Sequence, residues 1–165
     1  AMSGASPRHV LIVTNLVREL SSQLKNRPCL VFSTDLRLRV SATGLFTYPD
    51  VMVTCGRAAY VDEQQDTLTN PTLIVEVLSD STEDYDRGRK FEHYRSLASL
   101  QEYVLVAQDR VHLEQFQRQP DGRWLLSETR RREDAVRLSS IDCDLALDEV
   151  YGKVDLPTEP SPGTS

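Results

Sequence analysis

The sequence predicts an α/β or α+β fold in which helices pack on a central β-sheet. Apolar residues recur every three or four positions near the N-terminus, whereas later segments alternate or form short β-branched runs. The elements follow the order helix, several strands, helix, several strands. The 165 residues, 39% hydrophobic and 27% charged, have the size and composition of one globular domain.

The predicted domain covers residues 6–156. Residues 1–5 are expected to be an N-terminal remnant, because Ala1 precedes Met2 as in the scar of a removed tag. Residues 157–165 contain mostly proline, small and acidic residues, and this composition predicts a disordered tail.

In the first third of the chain, Ser6 followed by Pro7 is typical of a helix start. The apolar spacing predicts a helix from about Pro7 to Leu24. The segment "CLVFSTDLRLRV" (29–40) predicts one or two strands and "SATGLFT" (41–47) a turn, and a further strand begins at Val51.

The polar segment 56–71 predicts a loop, and the apolar run 73–78 predicts a central strand. Acidic residues in a first turn predict a helix over about 83–97, followed by a buried strand in "LQEYVLVAQ" (100–108). A Pro-Asp-Gly turn at 120–122 predicts a hairpin. The segment 135–151 predicts a short strand and a short terminal helix.

Composition excludes some classes of protein. The net charge of −6 argues against a general nucleic-acid coat but allows a local basic groove, formed by the basic residues of 87–95 or by 130–132. Both clusters also fit solvated faces paired with acids. The apolar runs are too short to cross a bilayer. Three scattered cysteines predict neither a disulfide framework nor a zinc site, and they favour a reduced cytoplasm.

Two carboxylates beside β-forming residues need a partner. Glu76 interrupts the apolar run 73–78, so it pairs with a cation, binds a metal ion or lies at an open strand end. Asp50, directly after Pro49, fits either a shared magnesium site or a turn cap. A buried ion pair with an arginine is the alternative for Glu76, and a surface i,i+4 pair with Asp86 is the alternative for Lys90.

Four stretches carry a resemblance to a known family. They are "YPDVMV" (48–53), "PTLIVEVLSDSTEDYDRGRKFEHYR" (71–95), "SLQEYVLV" (99–106) and "FQRQPDGRW" (116–124). Over about residues 9–151 the chain resembles the Uma-type (DUF820-like) family of restriction endonuclease-like proteins, a branch of the PD-(D/E)XK nuclease superfamily. The resemblance implies a restriction endonuclease-like mixed central sheet flanked by helices.

The resemblance also implies a catalytic set of Asp50, Glu76 and Lys90. In most of the superfamily the lysine lies two residues after the second acid, where this chain has Leu78; the Uma-type branch takes it from the next helix, at Lys90. Asp50, Glu76 and the backbone carbonyl of Val77 would hold Mg²⁺ or Mn²⁺, and the lysine would orient the attacking water or stabilise charge on the phosphate.

Further positions match the family. Glu102 is expected as an accessory acidic wall of the site, and His9 either contacts substrate or is an exposed helix residue. Substrate-binding roles are expected for Arg87, Arg89 and Arg95. The family also has an N-terminal segment with another acidic residue, which is expected to be missing ahead of the first helix here.

The expected function is that of a Mg²⁺-dependent, cytoplasmic endonuclease that hydrolyses nucleic acid, with DNA as substrate. A homodimer is expected, because cutting two strands favours two active sites. The alternatives are a catalytically inactive nuclease-fold module that binds or regulates, and a structural part of a larger assembly.

Overall fold

The structure is a computed structural model that describes residues 4–157. Its helices are α1 (Pro7–Leu24), α2 (Glu83–Arg87), α3 (Arg89–Arg95) and α4 (Leu147–Val150). Its strands are β1 (Cys29–Ser33), β2 (Arg37–Val40), β3 (Leu45–Thr47), β4 (Val51–Cys55), β5 (Thr67–Leu68), β6 (Leu73–Val77), β7 (Glu102–Val106), β8 (Leu113–Arg118), β9 (Trp124–Thr129), β10 (Ala135–Leu138) and β11 (Cys143–Ala146). Among these residues no helix is both long and apolar enough to cross a membrane.

Six strands form the central sheet in the order β1-β4-β6-β7-β8-β9. The central neighbours β6 and β7 are parallel, and the other neighbouring pairs are antiparallel. A parallel pair requires a crossover connection, which α2 and α3 supply. Two smaller sheets, β3-β2-β5 and β10-β11, complete the structure. This mixed sheet flanked by helices confirms the predicted fold class.

Strand β6 is covered on both faces. Leu73, Val75 and Val77 belong to the core that α1, α4 and the β10-β11 hairpin close. Ile74 belongs to a second core under α3 and the β3-β2-β5 sheet. Glu76 shares the second face, because alternate residues of a strand point to the same side.

Helix α1 begins and ends at the predicted residues, which confirms the prediction. Ser6 caps the helix as predicted, because its hydroxyl accepts a hydrogen bond of 3.1 Å from the backbone N–H of His9.

The structure corrects the helix predicted over 83–97. It is broken at Gly88 into α2 and α3, with Gly88 at φ −96° and ψ −90°, and it ends at Arg95. A Cβ at Gly88 would approach the carbonyl oxygen of Asp84 to 3.2 Å, so this close approach favours glycine. The break directs α3 back over the sheet, where Phe91 and Tyr94 enter the second core.

Three segments contain strands that the sequence did not predict. Residues 45–47 of the predicted turn form β3, and residues 67–68 of the predicted loop form β5. The segment predicted as one strand and a helix near the C-terminus contains the β10-β11 hairpin before α4. These strands have two to four residues, too few for a periodicity to show. Most of the predicted N-terminal remnant, and all but one residue of the predicted tail, lie outside the described residues.

The structure also corrects the prediction for the cysteines. Cys29 and Cys55 form a disulfide bond. They lie directly opposite each other in the antiparallel β1/β4 register, 26 residues apart in sequence. Cys143 is free and buried. The pairing depends on strand register, which spacing in the sequence does not reveal, and it removes the cysteine-based argument for a reducing compartment.

Candidate active site

A polar cleft of about 670 Å³ opens at the carboxyl end of β6. Its walls come from the start of α1, the segment before β4, the end of β6, and α2 with the start of α3. The side chains that line the cleft include those of His9, Tyr48, Asp50, Glu76, Asp86 and Lys90. The carboxyl ends of strands in open α/β sheets are a frequent position for ligand sites. The structure thus brings the three predicted catalytic residues and His9 into one cleft.

Asp50 is fixed from two sides. Its Oδ2 accepts a hydrogen bond of 2.8 Å from the backbone N–H of Val77, on the neighbouring β6. Its Oδ1 lies 3.2 Å from Nε2 of His9, in the first turn of α1. Asp50 is therefore no simple turn cap, because its carboxylate joins β4, β6 and α1.

The position of His9 follows from the helix cap. The hydroxyl of Ser6 donates to Oε1 of Gln108 at 2.6 Å, and the amide nitrogen of Gln108 donates to the carbonyl of Leu78 at 2.7 Å. Gln108 thereby ties the start of α1 to the chain just beyond β6. His9 is half-buried against Asp50, so it is not merely an exposed helix residue.

Glu76, Asp86 and Lys90 form a buried triad of charges. Nζ of Lys90 donates to Oε2 of Glu76 at 2.9 Å and lies 3.3 Å from Oδ1 of Asp86. The hydroxyl of Tyr94 donates to Oε1 of Glu76 at 3.4 Å. The side chains of Glu76 and Asp86 are 5% and 3% exposed, and that of Lys90 is 12% exposed. The i,i+4 pair of Asp86 and Lys90 thus exists, but inside the molecule rather than on its surface.

Burial and neighbouring charges shift the pKa values of the ionisable side chains in this cleft. Burial raises the pKa of Glu76 to about 8, although Lys90 opposes the rise, and burial also raises the pKa of Asp86. Burial lowers the pKa of Lys90, but the attraction of the two carboxylates outweighs it and leaves that pKa raised. The contact with Asp50 raises the pKa of His9.

Asp86 is the functional candidate that sequence reasoning missed. Its spacing to Lys90 was assigned to a surface pair and to the first turn of a helix. Its backbone carbonyl accepts a hydrogen bond of 2.9 Å from the buried hydroxyl of Tyr103, which fixes α2 against β7. The available signal was the position of Asp86 four residues before Lys90, which the family resemblance assigns to the same site as Glu76.

The cleft contains the kinds of side chain that divalent cations bind. Asp50, Glu76 and Asp86 bring three carboxylates to the cleft, and Lys90 is the lysine facing them. Oδ1 of Asp86 is buried and makes no hydrogen bond among the described residues beyond its ion-pair contact with Nζ of Lys90 at 3.3 Å. Carboxylate oxygens are the ligands that Mg²⁺ and Mn²⁺ prefer, and a bound cation would oppose the rise in pKa that burial causes.

Glu102 does not line this cleft. It lies at the opposite end of the β6/β7 pair, beside Leu73, whereas Glu76 lies beside Leu105. Three donors hold its carboxylate: the side-chain amides of Gln115 and Gln117, at 2.7 and 3.5 Å, and the backbone N–H of Ser140, at 2.7 Å. These contacts make Glu102 a link between β7, β8 and the β10-β11 hairpin.

The three arginines predicted to bind substrate also lie outside the cleft lining. Arg87 pairs with Glu83 at 2.8 Å and closely with Glu114. The guanidinium of Arg95 stacks 5.0 Å from the ring centre of Phe91, and Arg89 lines a separate shallow pocket. The run 130–132 pairs with nearby acids, including Arg131 with Glu133.

A second group of possible ligands lies on β8 and β9. His112, Glu114 and Glu128 have ligand atoms within 4.8 Å of one another. Glu114 and Glu128 are directly opposite in the β8/β9 register. Arg87 pairs with Glu114 and Arg130 with Glu128, so each carboxylate of this group already has an arginine partner.

Comparison with known proteins identifies the family of the chain. The family Uma2, described as "Putative restriction endonuclease", matches residues 1–148. Two proteins from Synechocystis sp. are similar in sequence. "Uncharacterized protein sll1609" is 39% identical over 127 residues, 77% of this chain and 72% of that protein. "Uncharacterized protein slr1290" is 36% identical over 151 residues, 92% of this chain and 78% of that protein.

A solved structure shares the fold. The crystal structure of "a putative nuclease belonging to DUF820" from Anabaena variabilis superposes with a TM-score of 0.74. The match covers 90% of this chain and 83% of that chain at 18% sequence identity. At this identity the superposition supports the fold alone.

Proposed function

We propose that this chain, which belongs to the Uma2 family described as "Putative restriction endonuclease", hydrolyses phosphodiester bonds of nucleic acid with a divalent cation. DNA is the proposed substrate, and Mg²⁺ or Mn²⁺ the proposed cation. The observation that carries the proposal is the buried group of Asp50, Glu76 and Lys90 at the carboxyl end of β6, in a cleft with excess negative charge.

Each side chain has a defined role in this proposal. Asp50 and Glu76 hold the cation, with the backbone carbonyl of Val77 as a further ligand, and Asp86 adds a carboxylate beside Lys90. The cation, when bound, lowers the pKa of water and neutralises charge on the phosphate. Lys90 orients the attacking water or stabilises the charge that develops on the phosphate.

His9 has a supporting role. Its imidazole lies against Asp50 at the mouth of the cleft, and its pKa is raised, which favours the charged form. A charged imidazole there binds a phosphate oxygen and keeps Asp50 in place. We also propose that the active form is a homodimer, because cleavage of both strands of a duplex needs two such sites.

Cleavage assays test the proposal. Supercoiled plasmid, single-stranded DNA and RNA are incubated with the purified protein and Mg²⁺ or Mn²⁺, with a chelator as the blank. We expect cleavage of DNA that the chelator and Asp50→Asn both abolish. Cleavage that survives Asp50→Asn would identify a contaminant or a different site and contradict the proposal.

One observation favours a second candidate, a non-catalytic nucleic-acid-binding or regulatory module. Lys90 already forms an ion pair with Glu76 without any metal ion, as it would in a purely structural contact. This candidate predicts nucleic-acid binding with no cleavage under any divalent cation. It also predicts that millimolar Mn²⁺ leaves the melting temperature unchanged, whereas cation binding to the folded state raises it.

A further inference from the structure

The β2-β3 hairpin presents an arginine and aromatic surface beside the cleft. Along β2, Leu38 and Val40 are fully buried, whereas Arg37 and Arg39 alternate with them on the other face and are half-buried. Phe46 lies opposite Arg39 in the β2/β3 register and is 49% exposed. The two guanidinium carbons lie 4.9 Å and 5.6 Å from the centre of the Phe46 ring. We call Arg37, Arg39 and Phe46 the hairpin surface.

The charge of this surface is only partly compensated. Arg37 donates to the hydroxyl of Thr67 at 2.9 Å and lies 3.9 Å from Asp66, at the limit of an ion pair. Nε of Arg39 is buried without a hydrogen-bond partner among residues 4–157. In a chain of net charge −6, most surface arginines discussed above pair with acids. Arg39 is half-buried beside Phe46, where an anionic ligand can approach its guanidinium.

The hairpin surface leads directly to the cleft. Strand β3 continues through Tyr48, which is 57% exposed and lines the cleft, to Pro49 and Asp50. Asp50 follows Phe46 by four positions of the chain, about 13 Å if the chain is extended at roughly 3.3 Å per residue. A nucleic-acid strand that occupies the cleft can therefore also contact the hairpin surface with nucleotides a few positions away.

We infer that the hairpin surface binds a single-stranded segment of the nucleic acid whose phosphodiester enters the cleft. An unpaired base stacks on Phe46 and the flanking guanidiniums bind phosphates, the combination that single-strand-binding proteins use. The inference rests on the proposed function for the identity of the strand in the cleft. It adds the residues that grip the substrate, and it assigns that task to β2 and β3 rather than to Arg87, Arg89 and Arg95.

Binding and cleavage are measured separately to test this inference. Fluorescence anisotropy with a labelled 12-nucleotide oligothymidylate in chelator reports affinity without cleavage. The double variant Arg37→Gln/Arg39→Gln is compared with Arg130→Gln/Arg131→Gln, which removes the same charge from arginines paired with acids. Arg39→Gln alone and Phe46→Ser are further variants that keep the hydrogen bond of Arg37 to Thr67. Thermal melting verifies that each variant is folded.

We expect the hairpin double variant to weaken binding by about tenfold or more and to lower the salt slope by about 1.4, since each single-strand phosphate contact contributes about 0.7. Phe46→Ser should weaken binding about fivefold or more. The control double variant should change affinity by less than about twofold. Equal weakening by both double variants, or unchanged affinity in the folded hairpin variants, would overturn the inference.

The cleavage result separates this inference from the proposed function. Wild-type cleavage of DNA together with unchanged binding by the hairpin variants would overturn the inference and leave the nuclease proposal intact. Binding that depends on the hairpin, without cleavage in any divalent cation, would support the inference and contradict the nuclease proposal. A wild-type protein that neither binds nor cleaves would overturn both.

Discussion

Two buried glutamates on the adjacent parallel strands β6 and β7 have opposite environments. Glu102, 1% exposed, is held by the amides of Gln115 and Gln117 and by the backbone N–H of Ser140. Glu76, 4% exposed, has Lys90 and the hydroxyl of Tyr94 as donors and lies in the cleft that Asp50 and Asp86 also line. Neutral donors tie Glu102 to its neighbours, whereas Glu76 faces a space that can admit a cation.

The difference shows how burial alone misleads when functional acids are sought. A buried carboxylate that neutral donors surround stabilises the fold, because removing it leaves those donors unsatisfied. A buried carboxylate whose pKa is raised, beside other acids in an open cleft, fits a reacting site. The sequence placed both glutamates in the candidate site, and the hydrogen-bond partners separate them.

The largest expected effect comes from exchanging the two glutamates for glutamine one at a time. Glu76→Gln removes a cation ligand and should reduce single-turnover DNA cleavage by about 10³-fold or more, as losses of central electrostatic groups do. Glu102→Gln should leave the cleavage rate of the folded protein within about threefold. Equal loss in both variants would contradict the division between the two glutamates.

Lys90→Met should reduce cleavage by about 10²-fold to 10³-fold, because it removes the cation that faces the phosphate. Lys90→Arg should not restore the rate, since the wider guanidinium does not replace a buried ammonium between Glu76 and Asp86. The same rate assay includes Lys25→Met, an exposed lysine at the end of α1, as the control. Activity retained in Lys90→Met would remove the lysine from the proposed mechanism.

The free energy of unfolding should respond to the two glutamine substitutions in the reverse order, with the larger loss in Glu102→Gln. Glu102→Gln turns one acceptor oxygen into a donor that faces other donors, which should lower the free energy of unfolding by about 2–3 kcal/mol. Urea unfolding at neutral pH measures this change, with Glu76→Gln at the other end of the strand pair as the comparison. A neutral effect of Glu102→Gln would show that its three hydrogen bonds contribute little.

The pH dependence of the free energy of unfolding should reveal the raised pKa of Glu76. The pKa of Glu76 is raised from 4.5 to about 8 in the folded protein. Between these values the folded chain retains a proton that the unfolded chain releases, so raising the pH favours unfolding, by at most about 1.4 kcal/mol per pH unit. Urea unfolding without divalent cations should show this loss between pH 5 and 8 in wild type and not in Glu76→Gln. Parallel curves would contradict the raised pKa.

The smallest expected effect is that of His9. His9→Asn should reduce cleavage by about tenfold, because the contact with Asp50 and the positive charge are lost but the proposed cation ligands remain. His93→Asn, a substitution in the pocket formed by α3 and the hairpin tip, is the control. A loss as large as that in Glu76→Gln would instead place His9 among the catalytic residues.

Local patterns in the sequence predicted the parts of the fold that depend on nearby residues. The spacing of apolar residues gave α1 its bounds, and the run 73–78 identified the central strand β6. Contacts between distant segments were not predictable in this way. Cys29 meets Cys55 through strand register, and Arg87 reaches Glu114 through the crossover that folds α2 onto β8. Asp86 joins the site only because α2 lies against β7.

The resemblance to a family grouped Asp50, Glu76 and Lys90 as one candidate catalytic set. Local patterns in the sequence could not make this grouping. It did not distinguish residues that share a cleft from residues that hold the sheet together, as Glu102 shows. That distinction depends on which end and which face of a strand a side chain occupies, and register decides both.

Calorimetric titration of Mn²⁺ at pH 7.5 tests most directly whether the Glu76 end of the strand pair is a cation site. Wild type, Glu76→Gln and Glu114→Gln are compared, because Glu114 belongs to the other group of possible ligands. We expect one ion per chain in wild type and in Glu114→Gln, and no binding at that site in Glu76→Gln. Binding that persists unchanged in Glu76→Gln, or that is lost only in Glu114→Gln, would contradict the account.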